Sequence, residues 1–344
     1  MSDVLDSCAG GAQVQLDPNV IAQLPPHKAV LEATVLAIEK KPETPIEAVK
    51  IVVQLEDGET TAEFFMKSAA GAGGAALMDS AFESETAVAA FLPVQVPRPI
   101  ARGSFAADPD RHFYLCEFAH MLSQEIPPPP YDWASAVAKL HLQSMGKSPV
   151  PNHFGFGVPT FLADVPVDNT WNASWEAFWA QQMRGLFERE ERLNGPDEEL
   201  TRLRKAYFEK AIPRYLGPLE RNGRSVVPCL LHSDLCLGNV RLLTAASGGD
   251  LCIFDACAYW GHNEADLGVC RNPRYKLGKP CIDEYQNLVP ISAPRADFDG
   301  RNAVYAMKYY VLLAIVIRKN SKIFRKIMIG ELRAILQMEW VKHA

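Results

Sequence analysis

Three side chains of this chain have the types and the spacing to do chemistry together. In Leu230-Leu231-His232-Ser233-Asp234-Leu235-Cys236-Leu237-Gly238-Asn239-Val240, a His-x-Asp is followed by an asparagine five residues after the aspartate. Sixteen residues beyond Asn239, a second apolar run ends at Phe254-Asp255. Phosphoryl transfer from a nucleotide uses these groups in this order. One carboxylate, Asp234, orients an acceptor hydroxyl and takes its proton. A carboxamide, Asn239, and a second carboxylate, Asp255, offer hard oxygen ligands to Mg²⁺, which neutralises the phosphates. Asp and Asn are also common turn residues, so either half alone says little. Both halves, each after an apolar strand, favour the transfer chemistry. His232 reads as a packing and hydrogen-bonding residue of the loop.

Such chemistry also needs a cation for the α- and β-phosphates and an anion to hold that cation. Lys67 ends the run Ala62-Glu63-Phe64-Phe65-Met66-Lys67, which follows Ile51–Leu55 across Glu56-Asp57-Gly58-Glu59, a strong hairpin signal. The helical stretch Ala76–Leu92 comes next and carries Glu83 and Glu85. At about 100° per residue, Met78, Phe82, Glu85, Ala89 and Leu92 share one face and Glu83 points away. An acid on an apolar face needs a partner, which predicts a Lys67–Glu85 pair. The strand Phe113–Cys116 then runs into Glu117, Phe118 and Ala119, whose backbone is expected to meet adenine through the Glu117 carbonyl and the Ala119 amide.

The elements that position these groups fall into two blocks. Residues 1–25 read as a mobile tail. A sheet-rich first lobe with one helix covers 26–116, and a connector at 117–130 ends in four consecutive prolines. A mainly helical second lobe covers 131–344, with helices expected at Trp133–Met145, Trp175–Glu191, Glu198–Tyr215, Ala303–Ile317 and Ile323–Val341. Two strands, Val227–Leu231 and Leu251–Phe254, interrupt it. This is the α+β outline of a bilobal, protein-kinase-like fold. The phosphate-covering loop falls at 37–47 and contains no glycine, although backbone amides approach phosphates best without a Cβ. Gly71-Ala72-Gly73-Gly74 lacks the spacing of a nucleotide loop and reads as a flexible link. Trp171, Trp175, Phe178 and Trp179 have helical spacing, and Trp175 and Trp179 read as core.

Composition narrows the classes. The 344 residues carry a net charge of −6 without a lysine- or arginine-rich run, which argues against a nucleic-acid or membrane partner. The most apolar run, Tyr309–Ile317, is too short to span a bilayer and is flanked by Lys308 and Arg318. The start lacks a secretory pattern, and the eight cysteines form no CxxC pair. These features point to a reduced, cytoplasmic setting without a zinc site.

With those residues placed, the sequence resembles the fructosamine-3-kinase and ketosamine-3-kinase (protein-ribulosamine 3-kinase) family, relatives of the aminoglycoside phosphotransferases. Residues 231–239 are similar to the family's His-Gly-Asp-Leu-Trp-x-Gly-Asn. Phe254-Asp255-Ala256-Cys257-Ala258-Tyr259-Trp260-Gly261-His262-Asn263-Glu264-Ala265-Asp266-Leu267 resembles its Asp-Pro-Ala-x-Tyr-Tyr-Gly-x-Arg-Glu-x-Asp-Leu. Phe64–Lys67, Phe82–Glu85, Leu140-His141, Phe154-Gly155-Phe156 and Asn169–Trp175 fit as well. The resemblance implies ATP- and Mg²⁺-dependent phosphorylation of the 3-hydroxyl of a ketosamine, a fructosamine or ribulosamine on a protein or a small amine; separately, the chain is expected to be a monomer. Asp234 would be the base, Asn239 and Asp255 the metal ligands, and Lys67 with Glu85 the phosphate anchor. Asp266 would brace the catalytic loop, and Trp260 and His262 would contact substrate. Ser233 stands where the family has Gly, Cys236 for a Trp, Ala256 for a Pro and Asn263 for an Arg, which leaves room for another acceptor. Two alternatives stand beside this reading: a small-molecule kinase of the aminoglycoside or choline type, and a pseudokinase that binds without catalysis.

Overall fold

The computed structural model describes residues 12–36, 46–122, 126–244 and 251–341. The glycine-free loop expected at 37–47 lies outside them apart from Ile46 and Glu47. In chain order the elements are α1 (Pro18–Ile21), β1 (His27–Leu36), β2 (Glu47–Leu55), β3 (Thr61–Ala70), α2 (Gly71–Ala89), β4 (Pro99–Ser104) and β5 (Arg111–Glu117). Then come α3 (Pro130–Ser144), β6 (Thr160–Leu162), β7 (Val165–Val167), α4 (Trp175–Asn194), α5 (Glu198–Ala206) and α6 (Ile212–Tyr215). The remainder is β8 (Cys229–Leu231), β9 (Val240–Leu242), β10 (Leu251–Ile253), β11 (Tyr259–Gly261), α7 (Gly268–Arg271), α8 (Gly278–Leu288), α9 (Phe298–Val316) and α10 (Ser321–Val341). Among the described residues no helix is long and apolar enough to cross a membrane.

The chain divides into two compact units, residues 1–128 with 238–257, and residues 129–237 with 258–344. The first is built on an antiparallel five-stranded sheet in the order β1-β2-β3-β5-β4. Its β2–β3 turn is the predicted Asp57-Gly58. Gly58 takes φ +75°, and the Asp57 carboxylate accepts the Glu59 and Thr60 amides. Side chains alternate along β3. Phe64 and Met66 enter a core with Val49, Ile51, Val53, Phe113 and Leu115, which leaves Glu63, Phe65 and Lys67 on the opposite face. The expected N-terminal tail is partly built into this unit: Leu16, Val20 and Leu24 are buried in the same core. Asp17 caps α1 and accepts the amides of Ala106 and Ala107 at 2.8 and 2.9 Å.

Two expectations are corrected here. The run Gly71–Gly74 is the first turn of α2 rather than a flexible link. Glycine is a poor helix former, but a Cβ on Gly74 would sit 2.6 Å from the backbone carbonyl of Ala69. Close approach between strand end and helix therefore overrides propensity. In addition, β9 and β10 belong to the first unit and not to the helical one. The Ile253 amide donates to the Gln95 carbonyl at 2.7 Å, and the Leu122 amide to that of Leu242 at 2.8 Å. These bonds stitch the pair to the segments after α2 and after β5.

The second unit is helical around α9, whose residues 300–315 are all buried. Trp175 and Trp179 are fully buried core residues, as expected, and their indole N–H groups donate to Tyr305 and Tyr207. The single helix expected over 198–215 is interrupted by a π turn at Tyr207–Ala211. Pro213 has no N–H to return to the carbonyl of Glu209, so the ladder widens just before it. The expected strand at 227–231 is confined to β8, which pairs antiparallel with β11.

Candidate active site

In the first unit, β3 delivers Lys67 and the β9–β10 pair delivers Asn239 and Asp255. The Phe254 amide donates to the Asn239 carbonyl at 3.0 Å, which brings the metal-ligand candidates to one end of that pair. Asp255 follows in a left-handed conformation, φ +61°. A non-glycine residue there stores strain, and such strain clusters at functional sites. Its carboxylate takes the Lys67 ammonium directly, Nζ to Oδ1 at 2.5 Å. The pairing differs from the Lys67–Glu85 bridge expected from the helix pattern. Glu85 is buried on α2 as predicted, while Glu83 turns outward to Arg102 at 3.0 Å. But Glu85 Oε1 accepts the Ala256 amide at 3.0 Å, and Oε2 is buried without a hydrogen-bond partner among the described residues.

The electrostatics follow from that arrangement. Burial pushes the Glu85 carboxyl up to about 7, against the Ala256 amide and the Lys67 charge, which favour the anion. Burial would also pull the Lys67 ammonium down, but the charge and hydrogen bond of Asp255 outweigh it and raise it. The residues fit the groups that the sequence implies. Asn239 and Asp255 supply two hard oxygens, the number a magnesium ion takes from protein when phosphates and water complete its shell. The Glu85 oxygen that is buried without a partner among the described residues is an acceptor for a cation's hydrogen bond.

At the other end of β3, β5 runs into Glu117, Phe118 and Ala119. The Phe118 amide donates to the Glu63 carbonyl at 3.1 Å, and the Glu117 side chain pairs outward with Arg98 at 2.8 Å. Lys50 pairs with Glu63 at 2.6 Å and lies 4.8 Å over the Phe118 ring. His120 bonds the other Glu63 oxygen. A cavity of about 570 Å³ bordered by Leu55, Glu63, Arg98, Glu117 and Phe118 opens at this end. No sequence pattern singled out the Lys50–Glu63–His120 cluster, because its members lie on β2, β3 and the connector.

The second unit holds the loop that carries Asp234. Strand β8 ends at Leu231, and the next two amides, His232 and Ser233, donate to the two oxygens of Asp266 at 3.0 and 2.8 Å. The same carboxylate is bonded by His141 Nε2 at 3.1 Å, and His141 Nδ1 meets the Tyr285 hydroxyl at 2.7 Å. Burial acts to raise the Asp266 carboxyl, but His141, His232 and Lys308 hold it below its ordinary value. His232 Nδ1 accepts the Asp234 amide at 3.2 Å. Trp260 lies on β11, 6% exposed, and its amide and carbonyl pair with Gly155. His262 is 3% exposed, and its two ring nitrogens meet the Tyr305 and Ser292 hydroxyls at 2.8 Å each. Desolvation pulls it down to about 4. It borders a cavity of about 400 Å³ with Leu142, Met145, Val227, Asn263 and Val289. That cavity lies at the Cys229 end of β8, and Asp234 follows the other end.

Comparisons with known proteins converge on one family. A sequence model described as fructosamine kinase matches residues 27–329. A protein-ribulosamine 3-kinase of Arabidopsis thaliana is 28% identical over 46% of this chain and 44% of its own length. The chain therefore spans less than half of that relative. A probable ketoamine kinase of Escherichia coli is 31% identical over 64% of this chain and 67% of its own. Among solved structures, a candidate fructosamine-3-kinase from Thermobifida fusca superposes with a TM-score of 0.66 at 18% identity, covering 90% of this chain and 95% of that one. An aminoglycoside phosphotransferase bound to AMP-PNP and hygromycin B gives 0.59 at 12% identity over 94% and 98%. At such identities the structures establish a shared kinase-like fold. The sequence match, covering most of the chain, establishes that it belongs to the fructosamine kinase family.

Proposed function

We propose that this chain transfers the γ-phosphate of ATP to the 3-hydroxyl of a ketosamine, a ribulosamine or fructosamine on a protein or a small amine. Asp234 accepts the hydroxyl proton as the oxygen attacks phosphorus, the bond to the bridging oxygen breaks, and ADP leaves. Lys67 turns from Asp255 toward the phosphates and Glu85 receives it on its free oxygen. A magnesium ion held by Asn239 and Asp255 would offset phosphate charge in the transition state. Asp266 and His232 keep the Asp234 loop in place, and the backbone at Glu117–Ala119 meets the base. The 3-phosphorylated ketosamine is unstable and loses its sugar, which frees the amine and reverses glycation.

The observation that carries the reading is the convergence in one unit of Lys67, Glu85, Asn239 and Asp255, with Asp234 on a braced loop in a chain of this family. The names of the plant and bacterial relatives support the acceptor. The test is ADP release from ATP and magnesium with a fructosamine and with a ribulosamine, beside Asp234→Asn. Turnover that requires the acceptor and disappears in the variant is expected. Nucleotide binding without turnover on either acceptor would sink the ketosamine assignment.

A further inference from the structure

Two cations lie inside α9, the most buried helix of the second unit: Arg301, which pairs with Glu264 at 2.7 Å, and Lys308. Lys308, midway along α9, is 2% exposed. An ammonium withdrawn from water costs several kcal/mol unless it is paired, so its surroundings are informative. Its Nζ donates to the hydroxyl of Ser233. It lies 5.4 Å from the ring centroid of Tyr259 and 5.3 Å from that of Tyr309, within reach of a cation–π interaction.

Ser233 immediately precedes Asp234 and takes φ +71°. Glycine occupies that conformation freely, whereas a serine there costs about 1 kcal/mol. Ser233 stands where the family pattern has glycine. The site restrains it at three atoms. Its amide donates to Asp266 at 2.8 Å, its carbonyl accepts the Tyr309 hydroxyl at 3.2 Å, and its Oγ accepts from Lys308. A glycine could supply the first two bonds but not the third. The strained serine and the buried lysine form one device.

We propose that Lys308 is a positioning residue for the transfer step, fixing the Asp234 loop through the Ser233 hydroxyl. The proposal rests on the reading of Asp234 as the base. Lys308 acts on where that base sits, not on how tightly substrates bind. A displacement of about 1 Å at a reacting group can cost 10²-fold in rate.

The test is steady-state phosphorylation of a ketosamine by the full chain, its Lys308→Met, Lys308→Arg and Ser233→Gly variants, and the double variant that combines Lys308→Met with Ser233→Gly. Lys308→Met is expected to lower kcat about 10- to 100-fold with KM for ATP and acceptor nearly unchanged. Lys308→Arg should recover part of the loss. Ser233→Gly should lower kcat less, because glycine suits the backbone. In the Ser233→Gly background, Lys308→Met should then cost far less than in the native one. Equal losses in both backgrounds, or a loss of stability with kcat intact, would overturn the proposal. If Lys308→Met does not fold, Ser233→Gly alone decides, and a kcat equal to native counts against the tie. Failure of the underlying reading looks different: the native chain would show no acceptor-dependent turnover. Urea unfolding of the same variants would then still read the tie, and additive midpoint shifts would refute it.

Discussion

Two charged constellations of this protein are held in opposite ways. In the first unit, Lys67, Glu85 and Asp255 are incompletely matched: one glutamate oxygen is buried without a partner among the described residues, and the lysine sits on the carboxylate proposed as a metal ligand. In the second, each Asp266 oxygen receives a backbone amide, and His141 is bonded through both ring nitrogens. A buried polar atom without a partner costs about 1–3 kcal/mol, so the first arrangement suits a group whose partner changes when a ligand arrives. A satisfied buried network suits a loop that must stay where it is. The contrast is between a constellation with one buried oxygen left unbonded among the described residues and one whose central carboxylate is bonded at both oxygens.

That contrast can be broken most severely at Asp234, the proposed base. Asp234→Asn keeps the shape of the loop and removes the proton acceptor, so acceptor-dependent turnover should fall by about 10²- to 10⁴-fold. Circular dichroism and the unfolding midpoint should stay near native. A turnover within about threefold of native would remove Asp234 from the mechanism. The next largest effect lies behind the loop. Asp266→Ala leaves the His232 and Ser233 amides and His141 without their acceptor, and losing one partner of a buried network costs about 3–5 kcal/mol. Urea unfolding should show that loss, together with faster exchange of the two loop amides. If stability survives, the loop is held by something other than this carboxylate.

The parts legible in the sequence were those with short-range signatures. Asp57-Gly58 fixed the β2–β3 hairpin and with it the strand position of Lys67. Helical periodicity placed Glu85 inward and Glu83 outward. The loop at 232–239 and the Phe254-Asp255 step are legible from residue type, spacing and the apolar strand before each. The parts not legible depend on neighbours far along the chain. Lys308 reads as the polar flank of an apolar run, because nothing nearby in sequence shows that Ser233 and Tyr259 lie against it. Gly71–Gly74 looked like a link because the clash that demands Gly74 involves backbone across a turn. The Lys67–Asp255 pair joins residues separated by 188 positions, and periodicity within one helix could point only to Glu85.

The smallest effect is also the one that most directly tests exchange. Glu85 has its ordinary value of 4.5 raised to about 7 by burial. Between those values the folded chain binds a proton that the unfolded chain has released, so stability falls as pH rises through the window and levels off above it. The difference corresponds to about 3 kcal/mol, an upper bound given how local water would relax it. Glu85→Gln removes the ionisable group and keeps its size. It should therefore match the native chain near pH 5, exceed it by about 2 kcal/mol near pH 8, and lose that part of the slope. Saturating nucleotide with magnesium should flatten the native curve in the same window if Lys67 leaves Asp255 for Glu85, because the pairing lets the carboxyl ionise. Urea midpoints across that range read both effects. Parallel curves for the native chain and Glu85→Gln would mean that the orphaned oxygen is not held protonated. A native slope unaltered by nucleotide would mean that Lys67 stays on Asp255, and the first unit would then be as fixed as the second.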